Sequence, residues 1–202
     1  FKKAVSIKPD YADAFSNMGN ALKDRGELNK AIEAYKKSIS LNPNYAEAHY
    51  NIGNTFKDKG KIDEAIKSFK KALSINPNFI EAYFNLGNAL RDQGKLVESI
   101  SAFNKALLIN PNYPVAYRNM GDTLRYVIFK KFNPSLQNTI VSLLDQKTHV
   151  RPKAIAKSVL GLLKLNPSLK KYLQGISVYN VKLPVKKIIA DLSKLTLLLK
   201  LM

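Results

Sequence analysis

One interval, 34 residues, governs most of the first half of this chain. Gly19, Gly53, Gly87 and Gly121 are spaced by it, and so are Pro9, Pro43, Pro77 and Pro111. Gly26, Gly60 and Gly94 share it, as do Phe1, Tyr35, Phe69 and Phe103, and Ala31 and Ala65, continued by Ser99. Interlocked series at one period mark a repeat protein, whose units stack because one unit cannot bury its own apolar faces.

Each unit reads as two helices. Met18–Leu22, Ile52–Phe56 and Leu86–Leu90 carry apolar residues at helical spacing. Asp24-Arg25-Gly26, Asp58-Lys59-Gly60 and Asp92-Gln93-Gly94 end this first helix, since glycine takes the left-handed cap conformation. A second stripe follows: Ala31, Tyr35, Ile39; Ala65, Phe69, Leu73; Ile100, Phe103, Leu107. Asn29 and Asp63 are the expected N-caps of the second helices, and Val97 at the matching place cannot cap. Asn-Pro then stops the helix, because proline restricts the residue before it and cannot extend the ladder. Gly19 and Ala31 are expected where the two helices cross, with Met18, Leu22, Tyr35 and Ile39 filling the space around them.

This pattern resembles the tetratricopeptide repeat. The family's positions are occupied in order: Phe15, His49, Tyr83 and Tyr117; Met18, Ile52, Leu86 and Met120; the glycines; the small residues Ala31, Ala65 and Ser99; Tyr35, Phe69 and Phe103; Ser38, Ala72 and Ala106; and the prolines. The resemblance implies an all-α solenoid of helical hairpins wound as a right-handed superhelix. It covers residues 1–126: a partial unit 1–11, full units 12–45, 46–79 and 80–113, and a last first-type helix, 114–126. It also implies that the first helices, A, line an inner, concave surface.

On the A helices a polar stripe runs beside the core stripe. Asparagine recurs at Asn17, Asn51, Asn85 and Asn119, flanked by Asn20, Asn54 and Asn88. Asparagine is a poor helix former, so its return in mid-helix asks for a reason. Its amide both donates and accepts, and a row of amides can hold the backbone of an extended peptide without reading its side chains. The alternative is that these amides bond neighbouring helix carbonyls and only shape the superhelix. The series is similar to the ladder in the repeats of O-linked N-acetylglucosamine transferases and their bacterial relatives, where it holds extended protein substrates. Lys23, Lys57, Arg91 and Arg125 recur at the groove rim, either as a solvated ridge or as a surface steering an acidic partner. Chaperone-binding repeats use lysine and arginine to clamp a terminal carboxylate. Ser16, Glu81 and Asn85 stand where that clamp needs basic groups, so capture of an acidic tail is not expected.

Charge divides the chain. The net charge is +18; residues 1–113 hold 17 Lys/Arg and 12 Asp/Glu, residues 114–202 hold 16 and 3. Residues 127–202 lose the period and read as a basic helical cap or linker, with helices opened by Asn133-Pro134, Arg151-Pro152, Asn166-Pro167 and Leu183-Pro184. The last ends in Leu195, Leu198, Leu199, Leu201 and Met202, an apolar surface that needs the solenoid or a further domain to cover it. This end looks like the helical linker preceding a methyltransferase-type domain in bacterial repeat proteins. That likeness implies the substrate-recruiting part of a longer transferase. A basic module for nucleic acid or anionic surfaces is the alternative. Its lysines are scattered pairs with few aromatics, Phe129, Phe132, Tyr172 and Tyr179, which argues against base stacking.

Nothing in the sequence points to catalysis or a cofactor. There is no cysteine, His49 and His149 stand far apart, and no phosphate loop or paired-carboxylate cluster stands out. No window is apolar enough for a membrane span. The chain begins at Phe1 without a signal-peptide pattern, which reads as a cut end, and a cytoplasmic location is the expectation.

Overall fold

The computed structural model describes residues 12–128. The partial unit 1–11 and the helices expected beyond Ile128 lie outside the described residues. Seven helices make up the described part: α1 (Ala12–Asp24), α2 (Leu28–Leu41), α3 (Ala46–Asp58), α4 (Ile62–Ile75), α5 (Ile80–Asp92), α6 (Leu96–Ile109) and α7 (Pro114–Leu124). Helices α1 to α5 belong to one compact unit that ends at Lys95, and α6 and α7 to a second that starts at Leu96. In the first, α1 pairs with α2 and α3 with α4; α2 packs on α3 and α4 on α5. The A helices α1, α3 and α5 also touch in succession. In the second unit α6 packs on α7.

The second helices bury one stripe each. In α2 it is Ala31, Ile32, Ala34, Tyr35 and Ser38; in α4 it is Ala65, Ile66, Phe69, Ala72 and Leu73. Tyr35, Phe69 and Phe103 are 0% exposed. Burying one such side chain contributes about 1.5–3 kcal/mol. Ala31, Ile32, Tyr35 and Ile52 form one cluster, flanked by Leu22, Ile39 and Phe56, so the first hairpin's core is completed by the next unit's helix.

Glycine faces these rings directly. A Cβ on Gly19 would lie 2.6 Å from the Tyr35 ring, and one on Gly53 would lie 2.8 Å from the Phe69 ring. The crossing expected between Gly19 and Ala31 is therefore a glycine under an aromatic ring.

The turn between the A helix and the second helix of a repeat is a glycine cap. Gly26, Gly60 and Gly94 have φ of 75°, 72° and 79°. The Gly60 N–H donates to the Lys57 carbonyl at 2.9 Å and the Lys61 N–H to the Phe56 carbonyl at 2.8 Å, the paired bonds of a Schellman motif. Gly26 and Gly94 repeat the arrangement. One correction follows from this tightness. The second helices begin one residue before Asn29 and Asp63, at Leu28 and Ile62, with Glu27 and Lys61 as N-caps that make no side-chain cap bond. The cap leads straight into the next helix, whose Ala31 N–H already donates to the Glu27 carbonyl at 3.0 Å. Asn29 and Asp63 sit in the first turn instead and accept from Lys59 Nζ and Gln93 Nε2 of the following A helix ends.

Asn-Pro-Asn makes the other turn. Asn42 Oδ1 accepts from the Asn44 N–H at 3.1 Å, and Asn76 and Asn110 do the same for Asn78 and Asn112. These asparagines close the turn with their side chains while proline holds its φ.

Two glycine substitutions separate close approach from conformation. Gly53→Leu is expected to cost about 1–3 kcal/mol by overpacking the Phe69 ring. Gly60→Ala meets no atom and is expected to cost about 1–2 kcal/mol through its left-handed φ alone. Chemical denaturation of both variants checks this; wild-type midpoints would refute the respective placement.

Candidate peptide-binding face

The A helices bring the asparagine series together within the first unit. Asn17 of α1, Asn51 of α3 and Asn85 of α5 lie on three successive A helices, Asn17 exposed and the other two half-buried. Asn119 holds the same place on α7, in the second unit. Among the described residues the side-chain amides of Asn17 and Asn51 make no hydrogen bond. The Asn51 carbonyl accepts from the buried Thr55 hydroxyl at 2.9 Å, and the Asn119 carbonyl accepts from Thr123 at 2.7 Å. These back-bonds satisfy the hydroxyls inside the helix.

The other amides are engaged. Asn85 Nδ2 donates to the Tyr50 hydroxyl at 3.0 Å and to Asn54 Oδ1 at 2.9 Å. Asn20 Oδ1 accepts from the Tyr35 hydroxyl at 2.7 Å. Asn88 is 8% exposed and offers little to a ligand. The series thus divides into amides with unspent capacity, Asn17 and Asn51, and amides bonded inside the scaffold, Asn20, Asn54 and Asn85.

The expected rim is partly neutralised. Lys23 Nζ lies 3.5 Å from Asp58 Oδ2, and Arg125 lies 3.3 Å from Asp122. Such exposed pairs contribute about 0–1 kcal/mol. Among the described residues Lys57 and Arg91 form no ion pair. At the opposite ends of the A helices Asp13, Glu47 and Glu81 are exposed in the first turns. A cavity of about 500 Å³ opens elsewhere, between α1 and α2, lined by Phe15, Met18, Leu22 and Ala34. None of the asparagine series lines it.

Burial sets the protonation of the aromatic groups. The Tyr35 hydroxyl is pushed up to about 12, first by burial and then by the Asp24 and Asp58 carboxylates, against a contact from Thr55. Tyr45 is raised by burial and by Asp13 beside it. His49 is held below the usual histidine value by burial, with Lys71 adding to the effect and the Pro43 carbonyl oxygen, 3.1 Å from its Nε2, working against it.

Tyr50 is the residue that sequence reasoning missed. Its place is filled by Ser16, Phe84 and Arg118 in the other units, so no period search reveals it. Its ring packs at 4.8 Å from Phe79 and 5.9 Å from Phe69.

Known proteins carry the same architecture. The TPR repeat model matches residues 19–60 and 53–91, and the tetratricopeptide repeat model matches 80–113. The chain carries tetratricopeptide repeats over this stretch. No curated protein matches the chain. Among solved structures, MamA superposes with a TM-score of 0.59 at 23% identity, over 85% of this chain and 87% of that one. The first TPR of Spaghetti (RPAP3), bound to the HSP90 peptide SRMEEVD, superposes at 0.55 with 22% identity, over 56% and 90%. The Sgt2 TPR domain from Aspergillus fumigatus gives 0.54 at 24%, over 56% and 77%. At these identities the likeness is one of fold. Among the described residues no helix is long and apolar enough to cross a membrane.

A pH titration tests the buried hydroxyl. Tyr35 stays protonated in the folded chain up to about 12 but ionises near 10 once unfolded. The folded state therefore binds the extra proton between those values and loses stability as pH rises through them. Thermal melting between pH 10 and 12 is expected to fall more steeply in the wild type than in Tyr35→Phe; parallel curves would show that the hydroxyl is solvated.

Proposed function

We propose that this tetratricopeptide-repeat chain is a protein-interaction scaffold that holds an extended peptide along its A helices. The observation that carries this reading is the row of asparagines on successive A helices, of which Asn17 and Asn51 keep amides unspent by the scaffold. Each amide can donate to a peptide carbonyl and accept from a peptide N–H, worth about 0.5–1.5 kcal/mol per net bond. Affinity then comes from the row rather than from any one contact. Asn85 continues the row, Asn20, Asn54 and Asn88 support it from the next column, and Asn119 offers the same amide on α7 of the second unit.

The partner is a polypeptide without an acidic anchor. Spaghetti's first repeat domain holds SRMEEVD, but here exposed Asp13, Glu47 and Glu81 stand beside the row, and Lys23 is already paired with Asp58. A carboxylate-rich ligand meets like charge there. The likeness of the asparagine series to that of O-linked N-acetylglucosamine transferase repeats supports a role in recruiting substrate for a larger transferase.

The experiment is a peptide-library binding screen on the wild type and on the Asn51→Ala, Asn85→Ala double variant, at low and high salt. Binding by the wild type that persists in salt and falls at least about fivefold in the variant is expected, two lost hydrogen bonds giving about 1–3 kcal/mol. Binding that collapses with salt and ignores the substitutions would point to a polyanion site and sink the amide row.

A further inference from the structure

We infer that Asn54 and Asn85 act as one bidentate clip, set by Tyr50, for a single extended, non-proline residue of the partner. The inference rests on the peptide-scaffold reading and narrows what that scaffold accepts. The two amides come from consecutive A helices and are joined by one hydrogen bond, Asn85 Nδ2 to Asn54 Oδ1 at 2.9 Å. Asn85 Nδ2 also donates to the Tyr50 hydroxyl at 3.0 Å. Both of its protons are then spent, and Asn85 is left with a carbonyl oxygen to offer. Asn54, with its oxygen occupied, is left with two N–H groups to offer. The joined pair therefore presents an acceptor oxygen beside a donor nitrogen. Turning both amides over exchanges the two residues' roles and leaves the same complement.

An extended residue needs that complement. Its own N–H and C=O point to the same side of the strand and are satisfied as a pair in antiparallel sheets. The clip meets them as a neighbouring strand would. Proline lacks the N–H and leaves the acceptor empty.

Tyr50 is the positioning residue. Its ring is wedged against Phe79 and Phe69, so its hydroxyl has a fixed place from which to hold Asn85. The preceding unit has no such clip. Ser16 stands where Tyr50 does, and Asn20 is bonded to the Tyr35 hydroxyl inside its own hairpin. Asn54 escapes that fate because Phe69, its counterpart of Tyr35, has no hydroxyl. One position along the groove is thus discriminating, while Asn17 and Asn51 stay permissive.

The test uses the tightest peptide of the library and its set of single amide-to-ester and proline replacements, measured on wild type, Tyr50→Phe, Asn54→Ala and Asn85→Ala. In the wild type, one register position is expected to be intolerant of both ester and proline. Tyr50→Phe keeps the ring packing; it is expected to weaken binding about three- to tenfold, the range of one net hydrogen bond, and to flatten that position's sensitivity. Asn54→Ala is expected to flatten it as well, and Tyr50→Phe is expected to add nothing on top of Asn85→Ala. If binding depends on Asn85 but Tyr50→Phe and Asn54→Ala leave the ester profile as in the wild type, the clip is wrong and the amide row stands. If no peptide binds the wild type, the scaffold reading falls and the clip falls with it.

Discussion

The described hairpins of the first unit depend on an aromatic ring lying where a side chain on the facing helix would have been. Gly19 and Gly53 leave that room, and Tyr35 and Phe69 take it. The ring draws the two helices close and fills the space between them, so the hairpin has a single register. Everything outside follows from that register. The A helix is turned so that its remaining apolar residues meet the neighbouring unit, as Ile52 and Phe56 meet Ile32 and Ile39, and so that its asparagines lie on another side. The same interaction that builds the core thereby aims the polar row.

Between units the joints are polar as well as apolar. Lys59 reaches back to Asn29, Gln93 to Asp63, and Lys23 forward to Asp58. Nearer the middle of the A helices the link is the Asn85–Asn54–Tyr50 network. Exposed bonds of the first kind add little energy each, but they occur at matching places and oppose sliding of one hairpin along the next. The part-buried amide network is costlier to break, because amides stripped of water need their partners.

The 34-residue period was sufficient to foresee helical hairpins, the capping glycines, the Asn-Pro stops and the buried aromatics, because each of these is demanded by local backbone geometry or by a repeated packing contact. What escaped was of another kind. Asn29 and Asp63 have the chemistry of N-caps, yet the glycine turn is so short that the helix starts ahead of them. Side-chain type says what can cap; it does not say where the preceding motif ends. The asparagine series was legible as a series. Which amides are spent depends on neighbours that break the period, Tyr35 against Phe69 and Tyr50 against Ser16, and a repeat search averages those differences away.

The left-handed glycine between α3 and α4 has a further implication about chirality. Gly60 holds a φ of 72°, with open space where an L-residue's Cβ would project. An L-residue is strained there, but a D-residue prefers that very region, since its allowed map is the mirror image. A D-alanine placed at this turn by chemical ligation would take the native φ without strain and narrow the unfolded ensemble, and is expected to leave the hairpin more stable than glycine does, by the same entropic argument that applies to glycine replacement at compatible sites. The turn can thus be read as a site where the handedness of one Cα, rather than the size or polarity of its substituent, decides the sign of the effect.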